Sequence, residues 1–270
     1  MSQTRTEMTE LLARHDLVPR KKLGQHFLAD QNMVNKIVAL AGDPQGVRAL
    51  EVGAGTGTLT RALAEAGFAV TAYEVDEGLR PLLAEVLDGL SVDLRFVDAV
   101  TIDPGEFGED EPWVFVANLP YNVGTPILLD LLRHAAGVGR FVVMVQRQVA
   151  DRLTAEPGTK KYGLPSVVAD LFGTARFEFR VPPQVFVPPP NVDSAVVSVQ
   201  RHTAPGPLRE LAVQLASAGF AHRRKMLRTS LRSAISDPEP ILEQVGIAAT
   251  LRAEDLTSSQ YLDIARLISG

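Results

Sequence analysis

Five short apolar runs, Ala49–Val52, Ala69–Val75, Leu94–Val97, Trp113–Ala117 and Phe141–Val145, alternate with stretches patterned as helices. The runs are rich in valine and phenylalanine and lack clean apolar–polar alternation, which is how strands read when both faces are buried. Leu59–Ala66, Gly78–Leu87 and Ile127–His134 carry helical patterns between or before them. Parallel strands need long crossovers, so this alternation predicts an α/β fold with a parallel sheet covered by helices on both faces. Beyond residue 145 the pattern predicts helices over Gln148–Thr154 and Pro165–Leu171 and strands over Thr174–Val181 and Ser194–Arg201. Five prolines in the nine residues Pro182–Pro190 exclude a helix or a central strand there and predict a stiff, extended loop. Two strands joined in this way read as a hairpin closing one edge of the sheet.

Ala204-Pro205-Gly206-Pro207 is the best domain boundary. It divides the chain into residues 1–204, with the sheet, and residues 205–270, where Leu208–Ile235, Pro240–Val245 and Ser259–Ile268 read as helices. A chain of 270 residues, 46% hydrophobic, can bury its own core. The absence of cysteine excludes disulfides, thiolate metal sites and cysteine nucleophiles, and no metal is expected. Met1–Arg20 is polar, and no stretch reaches the roughly 18 to 20 apolar residues of a membrane span, so the expectation is a soluble, cytoplasmic monomer. The net charge of −5 argues against a polyanionic partner, but its distribution argues the other way. Arg201–Arg232 holds seven basic residues against the single acid Glu210, and Arg20-Lys21-Lys22 and Lys160-Lys161 add smaller clusters. A basic run can equally be a solvated face.

The first predicted strand runs into Glu51-Val52-Gly53-Ala54-Gly55-Thr56-Gly57. Glycines at every second position let the backbone turn tightly and approach a ligand, and the following helix aims its N-terminus at the same place. Glu74, 17 residues after Gly57, ends the second strand, where a carboxylate can accept from both hydroxyls of a ribose. Asp98 ends the third, where it can accept from an adenine amino group. A nicotinamide dinucleotide fits this much of the pattern as well as other adenosine cofactors do.

The fourth strand ends in Asn118-Leu119-Pro120-Tyr121. Pro120 has no amide hydrogen and fixes the chain, leaving the Leu119 carbonyl free to accept a bond from outside. The Asn118 side-chain oxygen is a second acceptor and Tyr121 a flat surface for stacking. Two converging acceptors beside an aromatic plane fit an exocyclic amine such as N6 of adenine. An adenine in structured RNA must be splayed out to reach such a pocket, and Phe186 in the proline-rich loop is the candidate second stacking surface.

These residues resemble the ribosomal RNA adenine dimethyltransferase family, and within it most the bacterial members acting on small-subunit (16S) RNA. The resemblance covers nearly the whole chain: Lys22–Leu28, Glu51–Gly57, Glu74, Asp98, Asn118–Tyr121, Phe186–Ser194 and Phe220–Lys225. It implies a Rossmann-like class I sheet of seven mostly parallel strands, a helical C-terminal domain, and S-adenosylmethionine as cofactor. It implies dimethylation of two adjacent adenosines near the 3′ end of that RNA within the 30S subunit. His26 and Leu28 would then join Glu51, Gly53, Gly55, Gly57, Glu74, Asp98 and Asn118 at the cofactor. Arg223, Arg224, Lys225 and Arg228 would contact RNA from a basic helix. One position departs from the pattern: many bacterial members have Asn where this chain has His26, and an imidazole can still hydrogen-bond. The alternatives are a methyltransferase of large-subunit (23S) RNA, a nucleotide-binding oxidoreductase and a non-enzymatic ribosome assembly factor.

Overall fold

The structure is a computed structural model that describes residues 4–270; Met1–Gln3 of the polar N-terminal segment lie outside the described residues. Helix α1 (Arg5–Arg14) opens with a capping box in which the Thr4 hydroxyl accepts from the Glu7 amide and the Glu7 carboxylate from the Thr4 amide. A two-residue strand β1 (Phe27–Leu28) and α2 (Gln31–Ala41) precede β2 (Arg48–Val52), α3 (Thr58–Glu65), β3 (Ala69–Glu74), α4 (Arg80–Val86) and β4 (Val92–Phe96). After β5 (Trp113–Asn118), α5 (Gly124–His134) and β6 (Val138–Gln146) come α6 (Arg147–Leu153), α7 (Leu164–Phe172), β7 (Gly173–Val181), β8 (Phe186–Val187) and β9 (Ser194–Arg201). The rest is α8 (Pro207–Ala221), α9 (Leu227–Ser230), α10 (Pro238–Gln244) and α11 (Ser258–Ser269).

Seven strands form one sheet in the order β4-β3-β2-β5-β6-β9-β7. The first five are parallel, and β9 runs antiparallel to both β6 and β7. The fold is therefore the expected Rossmann-like α/β sheet with a closing hairpin. Because the chain builds outward from β2 to β4 and then returns to lay β5 on the other side of β2, the order reverses between β2 and β5. Their carboxyl ends flank the crevice in which sheets of this class bind ligands.

Both faces are covered, as the continuous apolar runs required. In β5, Phe115 and Ala117 pack into the core beneath α5 and α7, whereas Val114 and Val116 face the core shared with α2 and α3. β6 splits in the same way, with Phe141, Val143 and Val145 on one side and Val142 and Met144 on the other. The C-terminal helices join the first of these cores: Leu215, Leu231, Leu256 and Tyr261 are buried in it beside Val167 and Phe172.

Two local expectations are corrected. The proline-rich loop is not uniformly extended: Pro183–Val185 is a 3-10 turn, and β8 pairs antiparallel with β1. The helix expected over Leu208–Ile235 breaks after Ala221. The backbone there finds tertiary partners in place of the next helical turn: the Leu227 and Arg228 amides donate to the carbonyls of Leu251 and Ala249, at 2.7 and 3.1 Å. Among the described residues no helix is long and apolar enough to cross a membrane.

Candidate active site

β2 ends in the turn Gly53-Ala54-Gly55-Thr56-Gly57 and α3 begins at once. The three glycines lie at φ of 82°, 56° and 76°, a left-handed region that L side chains rarely adopt. The amides of Gly53 and Ala54 both donate to the Tyr73 carbonyl, at 2.8 and 3.1 Å, tying the turn to β3. Gly53 and Gly55 line a cavity of about 900 Å³, including its open mouth, at the switch point. Gly57 is the exception among the expected cofactor contacts. It does not line the cavity; a side chain there would press on Leu83 and Val86, each 3.1 Å from the added carbon. Its part is to let α3 start close against α4.

Three acids border the cavity. Glu51 is 1% exposed, and its Oε2 has no hydrogen-bond partner among the described residues. Burial pushes its carboxyl up to about 8, with the neighbouring Glu74 charge acting in the same direction. Glu74 ends β3 as expected and accepts from the amides of Gly55 (2.8 Å), Val75 and Asp76 (both 2.9 Å). Burial raises its pKa while these amides hold it down. An ionised carboxylate offers about four lone-pair sites, so Glu74 shapes the glycine turn and keeps one site for a ligand donor. Asp98 is exposed at the rim, with Oδ1 accepting from the Val100 amide at 3.1 Å.

The opposite wall is the end of β5. The Asn118 side chain donates through Nδ2 to the His26 carbonyl at 3.1 Å, and its Oδ1 accepts nothing among the described residues. The Leu119 amide donates to the Met144 carbonyl at 3.1 Å, whereas the Leu119 carbonyl accepts nothing among the described residues. The Tyr121 hydroxyl is 2.6 Å from the Ser194 hydroxyl, and burial raises its pKa. Its ring stacks on His26, centroids 5.7 Å apart at 26°. His26 donates from Nδ1 to the Pro188 carbonyl at 2.8 Å. Residues Leu23–Leu28 run along the cavity as a strap, with His26 and Leu28 among its lining residues.

Some expected site residues serve elsewhere. Phe186 is 0% exposed and is absent from the cavity lining, because its register opposite Leu28 turns the ring into the core with Val34 and Ile37. It offers no face to a base in this arrangement, and the stacking role read from the sequence is corrected to a packing one. Arg223-Arg224-Lys225 form a turn, not a helix. Arg223 is held internally, by Glu254 at 2.5 Å and the Lys160 carbonyl at 3.0 Å, whereas Arg224, Lys225 and Arg228 are exposed. Sequence reasoning missed Ser194 as the anchor of Tyr121 and Asp76 behind Glu74, since neither position carries a local signal.

The sequence matches the ribosomal RNA adenine dimethylase family over residues 18–269. The chain belongs to that family. It is 43% identical over 261 residues to ribosomal RNA small subunit methyltransferase A of Magnetococcus marinus, covering 94% of each chain. Identity is 42% to the protein of the same name in Phenylobacterium zucineum, over 97% of this chain and 93% of that one. The 23S rRNA methyltransferase ErmE superposes with a TM-score of 0.68 at 25% identity, covering 90% of this chain and 100% of that one. A dimethyladenosine transferase from Plasmodium falciparum, 21% identical, shares the fold with a TM-score of 0.75 over 90% and 98% of the two chains. Family membership makes the chain a ribosomal RNA adenine dimethyltransferase of the S-adenosylmethionine-dependent class. The oxidoreductase alternative falls with it.

Proposed function

We propose that the chain holds S-adenosylmethionine in the glycine-lined cavity and dimethylates N6 of two adjacent adenosines near the 3′ end of 16S ribosomal RNA. In this reading it works as a cytoplasmic monomer on the small (30S) ribosomal subunit. The small-subunit relatives, at 43% and 42% identity, favour that target over large-subunit RNA.

The cavity's chemistry suits the cofactor. Gly53 and Gly55 allow close backbone approach, Glu74 has a lone-pair site for a ribose hydroxyl, and Asp98 stands at the rim for an adenine amine. Glu51, whose Oε2 has no partner among the described residues, adds a polar group to the cavity wall. When bound, the cofactor supplies an electrophilic methyl group on a positively charged sulfur. The protein's own contribution is positioning. Asn118 Oδ1 and the Leu119 carbonyl accept the two hydrogens of the target amine, drawing its lone pair out of the ring and aiming it across the cavity. The Tyr121 ring, fixed by Ser194, gives the base a flat wall. No side chain has to remove a proton first, because an amine that has gained a further substituent is acidic enough to lose its proton to water. Residues 205–270, through Arg224, Lys225 and Arg228, supply cations for the RNA backbone.

The observation that carries this reading is the Asn118 Nδ2 bond to the His26 carbonyl, which fixes the amide with its oxygen as the free acceptor beside an unused Leu119 carbonyl. The test is mass mapping of dimethylated adenines in ribosomal RNA from cells with and without the gene, with labelled methyl transfer to purified 30S and 50S subunits. Two dimethyladenosines in 16S RNA that vanish with the gene are expected. Label confined to the large subunit sinks the choice of target.

A further inference from the structure

Asp76 is 4% exposed and does not line the cavity, yet it touches both walls of it. Its amide donates to Glu74 Oε1 at 2.9 Å, on the cofactor side. Its Oδ1 accepts from Arg20 Nη1 at 2.7 Å and from the Gly78 amide at 3.0 Å, and its Oδ2 from Gln25 Nε2 at 2.8 Å. Arg20 and Gln25 are also joined, the Arg20 amide donating to Gln25 Oε1 at 2.7 Å. Gly78 keeps the place open, since a side chain there would meet Arg20 and Asp76, each 3.1 Å from the added carbon.

The strap is therefore fastened at two ends. At the far end the His26 carbonyl accepts from Asn118, His26 Nδ1 donates to Pro188, and Phe27–Leu28 pair with β8. At the near end the side-chain fastening, among the described residues, is the Asp76 carboxylate, through Arg20 and Gln25. Gly24, between the two, adopts φ of 67° and passes over the Tyr121 amide, so the strap lies directly on the catalytic tetrapeptide. Charge-assisted bonds to a buried carboxylate are among the stronger hydrogen bonds available to a surface segment.

We propose that Asp76 is a positioning residue that latches the Arg20–Leu28 strap over the bound cofactor, setting how long the cofactor stays and not how fast the methyl group moves. The inference rests on the proposed cofactor site. Cutting the latch frees one end of the strap, so the cofactor leaves faster and the strap's amides lose protection while the sheet stays intact. The alternative is that Asp76 only caps the 3-10 turn beginning at Glu77, through its bond to Gly78.

Stopped-flow dissociation of S-adenosylhomocysteine from the full-length protein, with hydrogen exchange in parallel, separates the two. The variants are Asp76→Asn, the double variant Arg20→Ala/Gln25→Ala, which leaves the cap untouched, and all three changes together. Dissociation about ten-fold faster is expected in each, the size of one lost charge-assisted bond, with the triple variant no worse than the others. KM for S-adenosylmethionine should rise by a larger factor than kcat falls, and faster exchange should be confined to residues 20–28. Wild-type dissociation rates in Arg20→Ala/Gln25→Ala overturn the latch, as does an Asp76→Asn effect that the double variant does not reproduce, which leaves the cap as its only role. Absence of S-adenosylhomocysteine binding to the unaltered protein is a different failure, that of the cofactor site itself.

Discussion

Replacing Glu51 by Gln should invert the usual penalty for changing a buried residue, and the inversion should depend on pH. The carboxyl is 1% exposed, and burial lifts it from its ordinary value near 4.5 to about 8. Between those two values the unfolded chain has released the proton that the folded chain still binds. Stability due to this group is therefore full below about 4.5, falls as pH rises toward 8, and is constant above it. At about 1.4 kcal/mol per unit, the whole window is worth about 5 kcal/mol. A side-chain amide cannot ionise, so Glu51→Gln should gain on the wild type by several kcal/mol between pH 5 and pH 8. A pH-independent offset of about 1–3 kcal/mol is expected if the new amide finds no acceptor, and it leaves the slope untouched. Urea unfolding of both proteins at pH 5, 6.5 and 8 measures the difference, in which titrating groups not coupled to Glu51 cancel. A difference that stays flat across this range would falsify the reasoning, since Glu51 would then ionise alike in both states.

Asn118→Ala should lower turnover about 100-fold, the usual cost of one transition-state hydrogen bond, and weaken cofactor binding by no more than about ten-fold. Single-turnover kinetics with calorimetry checks both, and near-normal turnover would reject the acceptor role. Phe186→Ala should cost about 3–5 kcal/mol of stability as a core truncation, read by urea denaturation; an unchanged midpoint with lost activity would return the ring to base stacking. Charge reversal at Arg224 and Lys225 should weaken 30S binding and flatten its salt dependence by about two phosphate contacts, whereas Arg223→Ala should act on stability through Glu254. Identical binding curves across a salt series would assign the exposed pair to plain solvation.

What the sequence determined was whatever depends on neighbours along the chain. Mostly apolar runs without clean alternation gave β2, β3, β5 and β6, because strands covered on both faces have no polar side to show; β4, an edge strand carrying Asp93 and Arg95, was legible only from its apolar end. The alternating glycines gave a tight turn because φ values of 82°, 56° and 76° are ones that L side chains rarely adopt. Glu74, Asp98 and Asn118 were legible because strand ends in such a sheet share one edge. Tertiary structure alone decided what depends on pairs distant in sequence. The strap has no periodicity, and its fastenings join residues 51, 56, 92 and 162 positions apart. Phe186 looked like a ligand contact until pairing of β8 with β1 turned it inward, and the basic run looked helical until Leu227 and Arg228 found the 249–251 backbone. Local pattern fixes which atoms are available; only the closed fold, by removing water and choosing partners, fixes which of them remain unpaired, and among the described residues these include atoms of Glu51, Asn118 and Leu119, three residues that line the cavity.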